Sequence, residues 1–199
     1  MPRGESDSSI PRNTRPPTPR EDMPNEEHDV VEDGLVQTMV IVLMGVAGSG
    51  KTTVGRILAG QLGWPYRDAD EFHPPANVDK MSHGIPLTDR DREPWLAAIR
   101  RYVDETLARD DHAVVTCSAL KEDYRRIIVP DRGRVKLVYL AGDFSLIAER
   151  LRTREGHFMK AAMLSSQLAD LEPPRDALTV GIAQSPEAIA TEIRSALGL

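Results

Sequence analysis

The chain has a single cysteine, Cys117, among 199 residues, so no internal disulfide can brace it. Aromatic residues make up only 5%, too few for the stacking platforms that hold single-stranded nucleic acid. Positive charge is not in excess. Against 25 Lys and Arg stand 31 Asp and Glu, a net charge of -6, which argues against a binder of phosphate backbones. Long hydrophobic runs are missing too. The longest, "MVIVLM" at 39–44, falls far short of the about 20 residues that a bilayer span needs. The opening residues lack a charged-then-apolar pattern. These absences give the expectation of a cytoplasmic protein that engages neither nucleic acid nor membrane. What is present suffices for one packed domain, with 40% hydrophobic and 28% charged residues.

Residues 1–38 differ from the remainder. They hold six of the fifteen prolines, nine acidic and four basic residues, and so carry -5 of the net charge. So little apolar surface cannot offset the entropy of ordering, and the expectation is a disordered acidic tail. The folded domain is then 39–199. In it, buried-strand patterns alternate with helical ones. "TMVIVLMG" reads as a strand covered on both faces. "KTTVGRILAGQLG" follows with Val54, Ile57, Leu58 and Leu62 on one helical face and Gly63 as its stop. "PYRDAD", "HAVVTCSAL", "VKLVYLAG" and "ALTVGI" read as further strands. "EPWLAAIRRYVDETLARD" reads as a helix with Pro94 in its first turn and Trp95, Ile99, Tyr102, Val103 and Leu107 inward. Asp143 is placed as the cap of "FSLIAERLRTR". Ser185, Pro186 and Gly198 frame a last helix. The pattern predicts an α/β fold, a doubly wound parallel five-stranded sheet with helices on both faces.

The first strand-to-helix turn reads "GVAGSGKT", Gly45 to Thr52, and matches G-x-x-x-x-G-K-[ST]. Gly45, Gly48 and Gly50 let the backbone curl around phosphate oxygens. The amides of Val46, Ala47, Ser49 and the start of the helix, through Thr53, then offer donors and the positive end of a dipole. Lys51 is suited to the β- and γ-phosphates and the Thr52 hydroxyl to a magnesium ion. The motif sits after a buried strand and before a helix, as it must. Two absences narrow the class. No N-K-x-D supplies a guanine pocket, and strand three ends in "TCS" without a carboxylate for the metal side. A carboxylate must come from elsewhere, and the obvious source is the end of strand two, Asp68 or Asp70. Ligands bind at the carboxyl ends of strands in such sheets, which sets the segment "DADEFHPPANVDKM" (68–81) beside the γ-phosphate.

The segment running from "GVAGSGKTTVGRILAGQLGWPYRDADEFHPPANVDKMSHGIPLTDRDREPWL" through "CSALKEDYRR" to "LRTREGHFMKAAMLSSQLADLEPP" resembles the gluconokinases of the small P-loop kinase type. The resemblance covers essentially all of 39–199 and none of the tail. Shikimate kinases and nucleoside monophosphate kinases share the fold. A shikimate kinase should carry a glycine triplet after strand three, where this chain has "CSALK". The resemblance implies a helical substrate-binding insertion and a lid at about 152–174. It also implies ATP and Mg2+ as cofactors and phosphorylation of D-gluconate at its terminal hydroxyl. It suggests a homodimer, for which no interface is legible.

It further implies roles. Asp70 is assigned to accept or orient the hydroxyl proton and Asp68 to hold magnesium through water, with the two roles open to exchange. His73, Asn77, Lys80 and Met81 would lie over the sugar acid, Asn77 and Lys80 on one helical face at i, i+3. Arg92 is a candidate for the substrate carboxylate or the transferring phosphoryl group, because a planar fork suits both. Ser118 and Lys121 face the same cleft. Arg125 either joins them or forms an exposed salt bridge. In the lid, Arg150 and Arg154 share a face over the phosphates while Arg152 points to solvent, and Gly156 is the hinge. His157 and Gln167 are further lid positions. Cys117 reads as a small buried strand residue. Ala183 and Gln184 mark the adenine loop by fold position alone.

Overall fold

Val40–Met44 forms β1, buried along its whole length. The computed structural model describes the backbone of residues 38–152 and 157–199, and the side chains of 38–152 and 164–199. Strand side chains alternate between faces. Val40, Val42 and Met44 therefore enter one hydrophobic layer, Ile41 and Leu43 the other. This double burial is why the run is continuously apolar. Four strands join β1 in parallel: β2 Tyr66–Asp68, β3 Ala113–Thr116, β4 Val135–Ala141 and β5 Leu178–Gly181. Their order is β2-β3-β1-β4-β5, the doubly wound five-stranded sheet that the sequence predicts. The chain leaves β1 for the β2 edge, returns to β3, and then crosses to β4 beyond β1. The carboxyl ends of β1 and β3 thus flank the point where strand order reverses, which is where such sheets bind ligands.

Helices cover both faces. α1 (Lys51–Leu62), α5 (Phe144–Arg152) and α7 (Pro186–Leu197) contribute Val54, Leu58, Ile147, Ile189 and Ile193 to the layer shared with Ile41 and Leu43. α3 (Asp89–Ala108) and α4 (Glu122–Ile128) contribute Trp95, Ile99, Val103, Tyr124 and Ile128 to the other. α2 (Pro75–Ser82) and α6 (His157–Asp170) flank the carboxyl end of the sheet. α7 has the predicted ends: Ser185 accepts from the Ala188 amide, Pro186 occupies the first turn and Gly198 stops the helix at φ 71°. Such a cap contributes about 1 kcal/mol.

Two expectations need correction. α3 begins at Asp89, not at Glu93, and Pro94 lies in its second turn. A capping box decides the start: Thr88 accepts from the Asp91 amide while Asp91 accepts from the Thr88 amide. Those two bonds satisfy end groups that a start at Pro94 would leave bare, and they outweigh the single intrahelical bond that proline removes. Arg125, read as a cleft or surface residue, is neither. It is buried to 3% exposure and donates to the Ala119 and Leu120 carbonyls at 3.0 and 2.8 Å and to Glu122 at 2.9 Å. Its guanidinium clamps the turn that leads from β3 into α4. Residues 1–37, Arg154, Gly156 and the His157 side chain lie outside the described residues, and with them the expectations of a disordered tail and a lid hinge.

Candidate active site

The loop from β1 to α1 has Gly45, Gly48 and Gly50 at φ 149°, 84° and 96°, values that an L side chain resists. A Cβ at Gly48 would also stand 2.8 Å from Leu151 of α5, so the loop is moulded against the helix behind it. Val46 and Ser49 are buried, at 2% and 0% exposure. Neither residue lines the cleft, and the Ser49 amide donates to the Val46 carbonyl at 3.2 Å. The Lys51 ammonium donates to the Gly45 and Val46 carbonyls at 2.9 and 3.0 Å, which holds it across the mouth of the loop.

Beside this loop opens a cleft of about 650 Å³, within the range for small-molecule sites. Of the predicted residues, Ala47, Gly48, Gly50, Lys51, Thr52, Asp68, Asp70, His73, Met81, Arg92, Ser118 and Gln167 line it. The two aspartates sit at the end of β2 and in the 3-10 turn Ala69–Phe72 that follows. Ala69 between them is fully buried, and its carbonyl accepts from the Trp95 indole at 2.7 Å. That buried bond pins the backbone so that both carboxylates face the loop. Asp68 accepts from the Thr52 hydroxyl at 3.3 Å, the Tyr66 hydroxyl at 3.2 Å and the Asp70 amide at 3.2 Å.

Asp70 stands differently. Burial raises its pKa above the ordinary carboxylate value and the Asp68 charge raises it further, against smaller opposing pulls from His73 and Lys51. Its residue surface is nonetheless open to the cleft, so this carboxyl is packed on its protein side and wet on the other. His73 stacks on Trp95 at 4.5 Å. Burial lowers its pKa, with Arg92 adding to the effect and Asp70 opposing it. The neutral imidazole is therefore favoured.

Asn77 and Lys80 do share a helical face, but that face turns to α3. The Asn77 amide donates to the Asp91 carbonyl and the Lys80 ammonium to the Asp91 carboxylate, both at 2.7 Å. Neither residue lines the cleft; together they fasten α2 to the start of α3. Gln167, from α6, accepts from the Ala47 amide at 2.6 Å, so it meets the phosphate loop. Arg150 donates to the Ile182 carbonyl at 2.6 Å and approaches Gly50, which links the phosphate loop to the turn carrying Ala183 and Gln184. Arg152 is exposed and pairs with Glu149, turned to solvent as its spacing predicts. Cys117 is buried and its thiol pKa is pushed up to about 12 by burial, which makes it inert.

Several cleft residues escaped the sequence reading. Tyr124 of α4 lines the cleft, and its hydroxyl both donates to Asp89 and lies 3.4 Å from an Arg92 nitrogen. Arg92 and Lys121 both lie over its ring, at 5.7 and 5.5 Å. Lys121 donates to Asp89 at 3.0 and 3.1 Å, which sets it at the rim. Hydrogen bonds from Tyr124 and then Lys121 hold the Asp89 carboxyl below its ordinary pKa. Trp95 was legible only as a core residue. The one available signal was its indole N–H, which must find a partner when buried.

The comparisons with known proteins agree with this geometry. A family model described as "Shikimate kinase" matches residues 47–196. A gluconokinase of Gluconobacter oxydans is 50% identical over 136 residues, 68% of this chain and 76% of that protein. The thermoresistant gluconokinase of Escherichia coli is 40% identical over 154 residues, 75% of this chain and 88% of its own. Among solved structures, a gluconokinase from Sinorhizobium meliloti superposes with a TM-score of 0.73 at 43% identity, covering 81% of this chain and 93% of that one. A shikimate kinase from Aquifex aeolicus, at 19% identity and a TM-score of 0.52, shares the fold. With a phosphate loop and paired aspartates facing one cleft, and with this level of identity to enzymes of one activity, the chain belongs to the gluconokinases, within the shikimate kinase family of P-loop kinases.

Proposed function

We propose that the protein transfers the terminal phosphoryl group of ATP to the 6-hydroxyl of D-gluconate, giving 6-phospho-D-gluconate and ADP. The observation that carries this reading is the shared cleft. The ends of β1 and β2 bring the phosphate loop and Asp70 to its walls and the first turn of α3 brings Arg92, so a phosphoryl donor and a small polyol acid fit side by side. Donors on the loop amides and Lys51 hold the phosphates and offset charge on the transferring group. The Arg92 guanidinium, backed by Tyr124, offers a planar fork to the sugar carboxylate. Asp70 accepts the proton of the 6-hydroxyl as that oxygen attacks, and its raised pKa makes it a better base than an ordinary carboxylate. Catalysis is then positioning and electrostatics.

The donor set also fits magnesium. Among the described residues no group of three or more His, Cys, Asp or Glu side chains could hold a metal. Magnesium in phosphoryl transfer asks for less: one or two protein oxygens, the remainder coming from phosphate and water. Thr52 and Asp68, 3.3 Å apart, would supply these. The ion, when bound, neutralises charge that develops between the β- and γ-phosphates.

The test is ATP-dependent ADP release with gluconate, shikimate and AMP as acceptors. Gluconate is expected to give the highest kcat/KM. Preference for shikimate would favour the reading that the family model's description suggests. Turnover with none of the three would favour a nucleotide-binding module that lacks phosphotransfer.

A further inference from the structure

β3 ends without a carboxylate, yet it reaches the metal side of the cleft by another route. The sheet register pairs Thr116 of β3 with Asp68 of β2. Tyr66, two residues before Asp68, lies on the same face of β2. Its hydroxyl stands 2.9 Å from the Thr116 hydroxyl and 3.2 Å from Asp68 Oδ2. Proton counting orients the chain. An ionised carboxylate only accepts, and a phenol has one proton to give. Tyr66 therefore donates to Asp68, and the Thr116 hydroxyl donates to the Tyr66 oxygen. Thr52 also donates to Oδ2, at 3.3 Å, while Oδ1 takes the Asp70 amide. Both carboxylate oxygens are thus fixed. With its proton turned to Asp68, the Thr52 oxygen keeps its lone pairs for a cation.

The packing around these hydroxyls fits the same device. Gly55 lies one turn beyond Thr52 on the same face of α1. A Cβ there would fall 2.7 Å from the Thr116 methyl and 3.0 Å from the Tyr66 ring. The missing side chain lets ring and methyl press against the α1 backbone directly beneath Thr52. The Arg56 guanidinium covers the ring at 5.6 Å.

We infer that Tyr66 and Thr116 are positioning residues for the metal-side carboxylate: they orient Asp68 toward Thr52, so that Asp68 stands in for the carboxylate that β3 lacks. The inference rests on the phosphotransfer reading for its purpose, but its test does not need turnover. Mn2+ binding in the presence of ADP, followed by electron paramagnetic resonance, reads the site directly. Tyr66→Phe keeps the ring and removes the hydroxyl; Thr116→Val keeps the shape. Outer-shell substitutions weaken metal sites 10- to 100-fold where the ligand is direct. For a carboxylate acting through water we expect about 5-fold weaker Mn2+ binding in each variant. ADP affinity in EDTA should be unchanged, and Thr116→Ser, which keeps the hydroxyl, should stay near the wild type. A shift under about 2-fold in Tyr66→Phe, or equal loss in Thr116→Ser and Thr116→Val, overturns the inference and leaves the gluconate reading standing. Normal Mn2+ shifts in a protein that turns over no acceptor would overturn the gluconate reading alone.

Discussion

If Asp70 is the base proposed above, it sets folding against turnover. A carboxyl whose folded pKa lies above its unfolded value costs stability once pH rises past the ordinary carboxylate range, because the chain must hold a charge it would otherwise leave in water. Asp70→Asn is therefore expected to unfold at a higher temperature than the wild type at neutral pH, with the advantage disappearing in acid. It should also lose about 100-fold or more in kcat, the contribution of a positioned base. Melting curves across pH and a coupled ADP assay check the two halves. Tyr124 gives a second residue-scale expectation. Its hydroxyl lies between Asp89 and Arg92. Tyr124→Phe should raise the KM for gluconate about 10-fold, the scale of a hydrogen bond to a charged group, and leave the KM for ATP in place. Equal shifts in both constants would separate Tyr124 from the acceptor end. The phosphate loop was legible residue by residue because its motif specifies backbone shape. Asn77 and Lys80 were not, because their choice of partner depends on Asp91, more than ten residues further on and across a turn.

At the scale of elements, α1 carries a contrast within twelve residues. Both Gly55 and Gly60 lower helix propensity. Gly60 has open space where a Cβ would go, whereas Gly55 has the Thr116 methyl at 2.7 Å. Gly60→Ala is expected to stabilise the protein by up to about 1 kcal/mol, and Gly55→Ala to destabilise it by about 1–3 kcal/mol through overpacking. Urea unfolding of the two variants checks the signs. The five strands and the framed α7 were legible because burial period and end signals agree there. The start of α3 was not: a proline invites placement in the first turn, and only the reciprocal Thr88–Asp91 bonds show that the helix begins one turn earlier. α4 was not recognised as an element because its seven residues are too few to display a period.

Across the whole molecule, acid should act through a few paired carboxylates. Lys80 and then Thr88 hold Asp91 far below its ordinary pKa; Arg125 holds Glu122 down and Tyr124 holds Asp89 down. Depressed values mean stability that is present above the ordinary carboxylate range and is lost as pH falls through the folded values. A melting temperature that declines below about pH 4, and declines less in Asp91→Asn, is expected. The strand order has a last consequence. The phosphate loop springs from β1, flanked by β3 and β4, while Asp70, the proposed base for the sugar hydroxyl, directly follows a three-residue edge strand paired with β3 alone. The two reactants are thus gripped by parts of unequal endurance. On warming, backbone amides of β2 should exchange with deuterium well before those of β1, and gluconate should slow that exchange more than ADP does. The enzyme would then lose its hold on the sugar acid while still grasping nucleotide, failing by halves and not all at once.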